Sequence, residues 1–301
     1  MAGEVATPGV SAEDELRGMI YRGLFVMIIL MAVVQFFASQ GSEASAALNS
    51  IEFKGFQRNY LIVYCFMVAG DWLQGPYVYH LYDYYGWSIS DIGVLFIAGF
   101  GASMAFGTFI GSACDKVGRK NGCIGYAVIY AASCLTKHAG AKAAPSPAYF
   151  WILMFGRILG GIATSLLFSA FDAWMVTEHK RHKFSDAGMS QTYSRATIAN
   201  GLVAVSAGFV GQYASDAAGP VAPFDMAIVF MMVGVAIVIA TWSENYGGSD
   251  NGSGSIAGSI KVALAQCKDD PTIVAACMLQ SFFESAMYLP TPCTVNVLTN
   301  D

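Results

Sequence analysis

Three groups of polar side chains interrupt otherwise apolar stretches, and their types and spacing define the chemistry available. In Asp71-Trp72-Leu73-Gln74-Gly75-Pro76 a carboxylate lies mid-stretch, with the Gln74 amide one turn further along the same face. The composition described below puts this carboxylate at membrane depth, where it costs about 3 kcal/mol and therefore faces a cavity or a partner. Pro76 has no amide hydrogen, so the Trp72 carbonyl loses its usual donor just after Gly75 has loosened the turn. Broken helices of this kind line solute sites in membrane proteins. A structural ion pair or a water-filled notch would use the same residues.

Arg157 begins a second group. Steps of three and four place Gly161, Thr164 and Ser165 on its face of a helix. A fork of guanidinium donors followed by neutral hydroxyls suits a tetrahedral oxyanion, which Arg binds bidentately. An Arg157 that bridges to Asp71 or to helix carbonyls, holding a bundle together, explains the pattern equally well. The third group is Gln280 and Glu284, one turn apart, with Glu284 a candidate proton carrier beside Asp71. His179 and His182 fall in the charged run Glu178-His179-Lys180-Arg181-His182-Lys183, which reads as a solvated loop and not as a metal site. The seven cysteines show no paired CxxC spacing and read as small packing residues. No catalytic residue, metal or cofactor is expected.

The elements that must hold these residues follow from composition. Hydrophobic residues make up 55% of the chain and charged residues 12%, about half the roughly 25% charge of a soluble domain. The apolar residues gather into blocks of about 20, the length that crosses a hydrocarbon core roughly 30 Å thick. Lipid is the expected solvent. The net charge of −5, with no basic stripe, excludes a nucleic-acid partner.

Residues 1–18 form a polar tail and 19–38 a first apolar block, whose acidic lead-in argues against a cleaved signal peptide. Seven further blocks follow near 60–80, 91–112, 122–138, 149–171, 194–214, 224–242 and 271–289. A Gly/Ser-rich linker around 247–255 divides the sixth of these from the seventh. Ten Lys and Arg (54, 58, 116, 119, 120, 180, 181, 183, 261 and 268) fall on one side of this arrangement. Arg17, Arg22, Lys137 and Lys142 fall on the other. The positive-inside bias makes the linker cytoplasmic, places the N-terminus outside, and leaves the sequon at Asn251 in the wrong compartment for glycosylation.

The most specific stretch is Gly111-Ser112-Ala113-Cys114-Asp115-Lys116-Val117-Gly118-Arg119-Lys120. Gly107 and Gly111 form a small-xxx-small pair for close helix approach, and Gly118 can take the positive φ of a tight reversal. Asp115 and Arg119 can pair across the turn, with Lys116 and Lys120 holding it at the cytoplasmic side.

This stretch resembles the G-x-x-x-D-[RK]-x-G-[RK]-[RK] loop between the second and third helices of major facilitator superfamily proteins, and Arg157-Ile158-Leu159-Gly160-Gly161 resembles their helix-four R-x-x-x-G element. Closer resemblance to the molybdate-anion transporter family runs over roughly residues 57–288. It is carried by Asp71 through Tyr79, Leu135-Thr136-Lys137, Gly156 through Phe171, Gly219 through Phe224, Trp242-Ser243-Glu244-Asn245-Tyr246 and Gln280 through Ser285.

The resemblance implies an all-α membrane fold, with 19–38 as an extra helix, 57–243 as the N-terminal six-helix transport half and 244–270 as a cytoplasmic linker. Residues 271–289 would be a partial first helix of the second half, and 290–301 a divergent tail. It further implies a non-enzymatic secondary transporter in the cell membrane that takes up molybdate or a similar oxyanion; the two charges of that anion, entering against an interior-negative potential, call for a coupling cation, with a proton as the candidate. The expected substrate set is Arg157, Asp71, Gln74, Thr164, Ser165 and Gln280, with Asp71 and Glu284 as proton carriers. A carrier of a sugar, drug or peptide, or a receptor or regulatory subunit without transport, are the other expectations. After Tyr288 the chain reads Leu289-Pro290-Thr291-Pro292, which cannot continue a helix comfortably. The expectation is a C-terminally truncated chain, from mis-splicing or as a short isoform, that cannot alternate access by itself.

Overall fold

The computed structural model describes residues 50–140, 145–247 and 265–288. The 19–38 block, the Asn251 sequon, most of the linker, Cys293 and the tail lie outside them. All regular structure among the described residues is helical. The helices are α1 (Ile51–Gln74), α2 (Tyr77–Tyr84), α3 (Ile89–Val117), α4 (Arg119–Leu135), α5 (Pro147–Arg181), α6 (Asp186–Ala218), α7 (Ala222–Thr241) and α8 (Pro271–Tyr288), with a 3₁₀ turn at Thr136–Gly140.

Serine sets where half of these helices begin. Ser50, Ser88, Ser146 and Ser185 each turn a side-chain oxygen onto a backbone amide three residues ahead, satisfying one of the donors a helix start leaves free. Pro147 follows its cap at the first helical position, where a missing amide hydrogen costs nothing. Asp270 plays the same part before α8, accepting from the Thr272 amide at 2.9 Å. The Thr272 hydroxyl and amide hold this carboxyl below the usual carboxylate range.

The break expected at Gly75-Pro76 is present: α1 stops at Gln74 and α2 restarts at Tyr77. Several helices overrun their apolar blocks. Helix α5 has 35 residues, about 52 Å at 1.5 Å per residue, well beyond the hydrocarbon thickness. Its last turns therefore carry Glu178, His179, Lys180 and Arg181, which corrects the expectation of a loop there. His179 is almost fully buried, with Nε2 on the Ser185 carbonyl at 2.9 Å and its ring against Phe53 and Phe184. The half-exposed His182 faces Glu52 at 3.0 Å.

Helix packing follows a repeat. Helix α3 packs on α5 and α4 on α5, while α6 packs on α1 and α7 on α1, and α4 meets α7 between the two sets. Exchanging α1, α3 and α4 for α5, α6 and α7 maps the first four of these pairings onto one another and the α4–α7 pairing onto itself, the pattern of an internal repeat of three helices. Helices α1 and α5, which exchange with one another, touch at few positions. Among the described residues, three helical segments meet the length and apolarity needed to cross a bilayer, at Ile89–Gly107, Pro147–Arg181 and Ala222–Thr241. Lipid-facing side chains such as Ile97, Met104, Phe168 and Phe209 stand exposed, because in hydrocarbon an outward apolar face carries no penalty.

Candidate functional site

Asp71 is half-buried on α1 and accepts a hydrogen bond from the Tyr130 phenol of α4 at 2.5 Å. The charge of Arg157, on α5, acts on the same carboxylate, but the two do not form a direct ion pair. Arg157 is held from α3. Its Nε donates to the Leu95 carbonyl at 3.4 Å and its guanidinium lies 4.8 Å from the centre of the Phe96 ring, a cation–π geometry. Gly99 leaves room for this head group, since a Cβ there would stand 2.8 Å from Nη2. Neither terminal amino group of Arg157 has a protein acceptor among the described residues. A guanidinium fixed on one edge and open on the other can accept an anion without first breaking a protein contact.

The rest of the expected substrate set is placed differently. The stripe from Arg157 to Ser165 faces α3 and not an open space. A Cβ on Gly161 would run into the Gly99 carbonyl oxygen and stand 2.9 Å from the Ser103 amide nitrogen, so this glycine is where α3 and α5 come closest. The Ser165 hydroxyl lies 3.2 Å from the Ser103 hydroxyl and can donate to the Ser103 carbonyl at 2.9 Å. Thr164 donates back to the Gly160 carbonyl at 3.0 Å. Both hydroxyls donate to backbone carbonyls inside the protein in this structure. Gln74 is buried, with its amide nitrogen 3.3 Å from the Gly70 carbonyl and its oxygen accepting from Cys134 Sγ at 3.6 Å, so it faces α4 rather than solute. Gln280 is exposed on α8. Glu284 lies within that helix, but its side chain is outside the described residues.

A second carboxylate on the α1–α5 face escaped the sequence reading. Asp172 of α5 is half-buried and accepts from the Tyr60 phenol of α1 at 3.3 Å. The fourth core block was ended at residue 171, one position short of it. Lys137, just past the end of α4, is buried, and its ammonium donates to the Tyr82 hydroxyl at 3.0 Å.

The Asp115–Lys120 turn is built as its residue types require. Gly118 takes φ 108° between α3 and α4, a conformation that disfavours any side chain. Arg119 pairs with Asp115 at 2.7 Å and also meets the Thr177 hydroxyl and the Ala173 carbonyl of α5. Lys120 donates to the Trp242 carbonyl at 2.7 Å and the Ile239 carbonyl at 3.2 Å, binding the turn to the end of α7. Lys116 is exposed. A Cβ on Gly111 would meet nothing within 4 Å among the described residues, whereas one on Gly107 would stand 3.4 Å from Ser165 Oγ, so of the expected pair Gly107 is the one set against a neighbouring helix. The segment after α7 closes the arrangement. Glu244 accepts from the amides of Lys120 and Asn121 at 2.8 and 3.2 Å, capping α4, and Trp242 stacks on Trp174 at 3.6 Å.

A repeated three-helix packing, a charged turn of this construction and intramembrane charges on its central helices define a major facilitator protein. Residues 20–295 match the family model of this superfamily described as sugar transporters, 12 TM, and the chain belongs to that family of integral, multi-pass membrane proteins. Its curated relatives include the molybdate-anion transporter of Xenopus tropicalis, 34% identical over 274 residues, which cover 89% of this chain and 58% of the relative. The molybdate-anion transporter of Xenopus laevis is 33% identical over 274 residues, again 89% of this chain and 58% of the relative. That of Takifugu rubripes is 37% identical over 205 residues, 67% of this chain and 41% of the relative. The chain thus spans under three fifths of the length of these relatives.

Proposed function

We propose that this protein is a secondary transporter for an inorganic oxyanion, with molybdate as its substrate and a proton as its coupling ion, in the cell membrane. Residues 57–243 act as one transport half. The observation that carries the reading is Arg157: a guanidinium anchored at Nε by the Leu95 carbonyl, backed by Phe96, and with no acceptor for its terminal amino groups among the described residues. The similarity to molybdate-anion transporters supplies the identity of the anion.

The substrate contact is narrower than the expected set. Arg157 supplies the bidentate donors, and Asp71 lies beside it as a charge-balancing group. An ionised Asp71 repels an approaching dianion, whereas a protonated Asp71 does not, so anion and proton favour each other at this face. The charge of molybdate also calls for a co-transported cation. Entry against an interior-negative potential costs roughly 2.3 kcal/mol per charge per 100 mV. Asp71 and Glu284 are the carriers assigned to that role.

A second reading rests on the family description as sugar transporters. Uptake of radiolabelled molybdate and of a sugar panel by cells expressing the protein separates the two. Saturable molybdate accumulation that sugars do not compete for supports the oxyanion reading; sugar accumulation indifferent to molybdate overturns it.

A further inference from the structure

Asp172 is the one intramembrane charge of the α1–α5 face that the proposed substrate site does not use. It sits fifteen residues beyond Arg157 on α5, about 22 Å further along the helix axis, towards the end where α5 meets the Asp115–Lys120 turn. Its surroundings come from two neighbouring helices and are phenolic. Tyr60 of α1 donates to Oδ1 at 3.3 Å, while Tyr64 of α1 and Tyr193 of α6 lie within electrostatic range. Tyr60 is itself fixed, almost fully buried and stacked on Tyr64 and Trp242 with ring centres 5.9 and 6.2 Å away.

No Lys, Arg or His stands within ion-pair distance of Asp172 among the described residues. The charges of the packed elements are engaged elsewhere. Arg195 of α6 pairs with the Gln57 oxygen, Arg119 of α4 pairs with Asp115, and Glu178 of α5 faces Arg181. A carboxylate half-buried among phenols without a cation is disfavoured in its charged form, and that cost is relieved when it takes up a proton. A metal cation fits poorly, because one carboxylate and phenol oxygens supply too few oxygen ligands for a hard ion.

We propose that Asp172 is a second proton-binding site, at the opposite end of the α1–α5 face from the Asp71–Arg157 pair. The proton bonds to the carboxylate oxygen that Tyr60 does not occupy, and the same O–H bond breaks when the site opens to the other compartment. Two carboxylates on one face, roughly 16 Å apart along α1 as measured from Tyr60 to Asp71, match the two negative charges of molybdate. This assignment rests on the transport reading only for its coupling role; proton binding itself does not depend on it.

The test is infrared difference spectroscopy of the purified protein in lipid nanodiscs, titrated through the mildly acidic range, alongside molybdate uptake against external pH. One component of the titrating protonated-carboxyl C=O band should be present in the wild type and in Asp71→Asn and absent in Asp172→Asn. Tyr60→Phe, which removes a hydrogen bond but keeps the carboxyl, should shift that band. Uptake by Asp172→Asn should keep only the shallower pH dependence that Asp71 and Glu284 supply, while molybdate binding to the purified protein changes less than twofold. If Asp172→Asn does not reach the membrane, the Tyr60→Phe band shift decides alone. A band unchanged in every variant, or a wild-type pH profile in Asp172→Asn, would overturn the proposal. A titrating Asp172 band in a protein that accumulates no molybdate would keep the proton site and reject the molybdate reading.

Discussion

The phenol of Tyr130 reaches across from α4 to the carboxylate of Asp71 on α1 at 2.5 Å, and this bond fixes the acid beside, but not upon, Arg157. A guanidinium saturated by a carboxylate would have no donors to spare. With Tyr130 holding the acid, Arg157 keeps its charge in the membrane and its outer edge open.

Tyr130→Phe removes a hydrogen bond to a charged group, a contact worth about 1.5–3 kcal/mol. The variant should melt lower than wild type in detergent by a margin of that size. In a double-mutant cycle with Asp71→Asn the losses should be non-additive, because both changes delete one interaction. Additive losses would mean that the bond carries no coupling energy.

Close packing of α3 on α5 makes a sharp prediction for glycines. Gly161→Ala drives a methyl group into the Gly99 carbonyl and should cost about 1–3 kcal/mol as overpacking, seen as reduced folded yield. Gly111→Ala, with nothing within 4 Å, should leave the yield unchanged. Equal yields from the two variants would contradict the packing.

Glu244 is a helix cap that acts across 124 residues of sequence. Glu244→Ala should lower stability by about 0.5–2 kcal/mol, the range for loss of an N-terminal cap. Hydrogen exchange should then rise first at the Lys120 and Asn121 amides, the two that Glu244 accepts from. Unchanged protection at both would show that the cap is idle.

Proton coupling predicts that molybdate uptake rises as external pH falls from about 7.5 to about 5.5, since protonation removes the negative charge that opposes the dianion. Measured at fixed membrane potential, a rate that is flat with pH, or that follows sodium, would remove Asp71, Glu284 and Asp172 together from that role.

The sequence made Asp71, Arg157 and the Asp115–Lys120 turn legible for one reason: a charge or a glycine stands out in an apolar block. Helix existence was legible for the same reason, and the break at Gly75-Pro76 followed from backbone chemistry alone. What failed depended on facing. Thr164 and Ser165 share a stripe with Arg157, but which helix that stripe meets is set by the register of α3, and the stripe alone carries no trace of it. Asp172 was lost at a block boundary. His179 looked solvated because its neighbours are charged, whereas the overrun of α5 carries it into contact with Phe53 and Phe184. The capping role of Glu244 exists only once α7 ends beside α4.

The account stands or falls on the open edge of Arg157. Lysine keeps the charge but loses the planar fork, so Arg157→Lys should abolish molybdate uptake while its abundance in the membrane stays near that of wild type. The measurement is initial-rate uptake of radiolabelled molybdate, normalised to surface protein. Loss of uptake at normal abundance is the predicted result; transport by Arg157→Lys at the wild-type rate would contradict it and leave Arg157 a structural brace between α5 and α3.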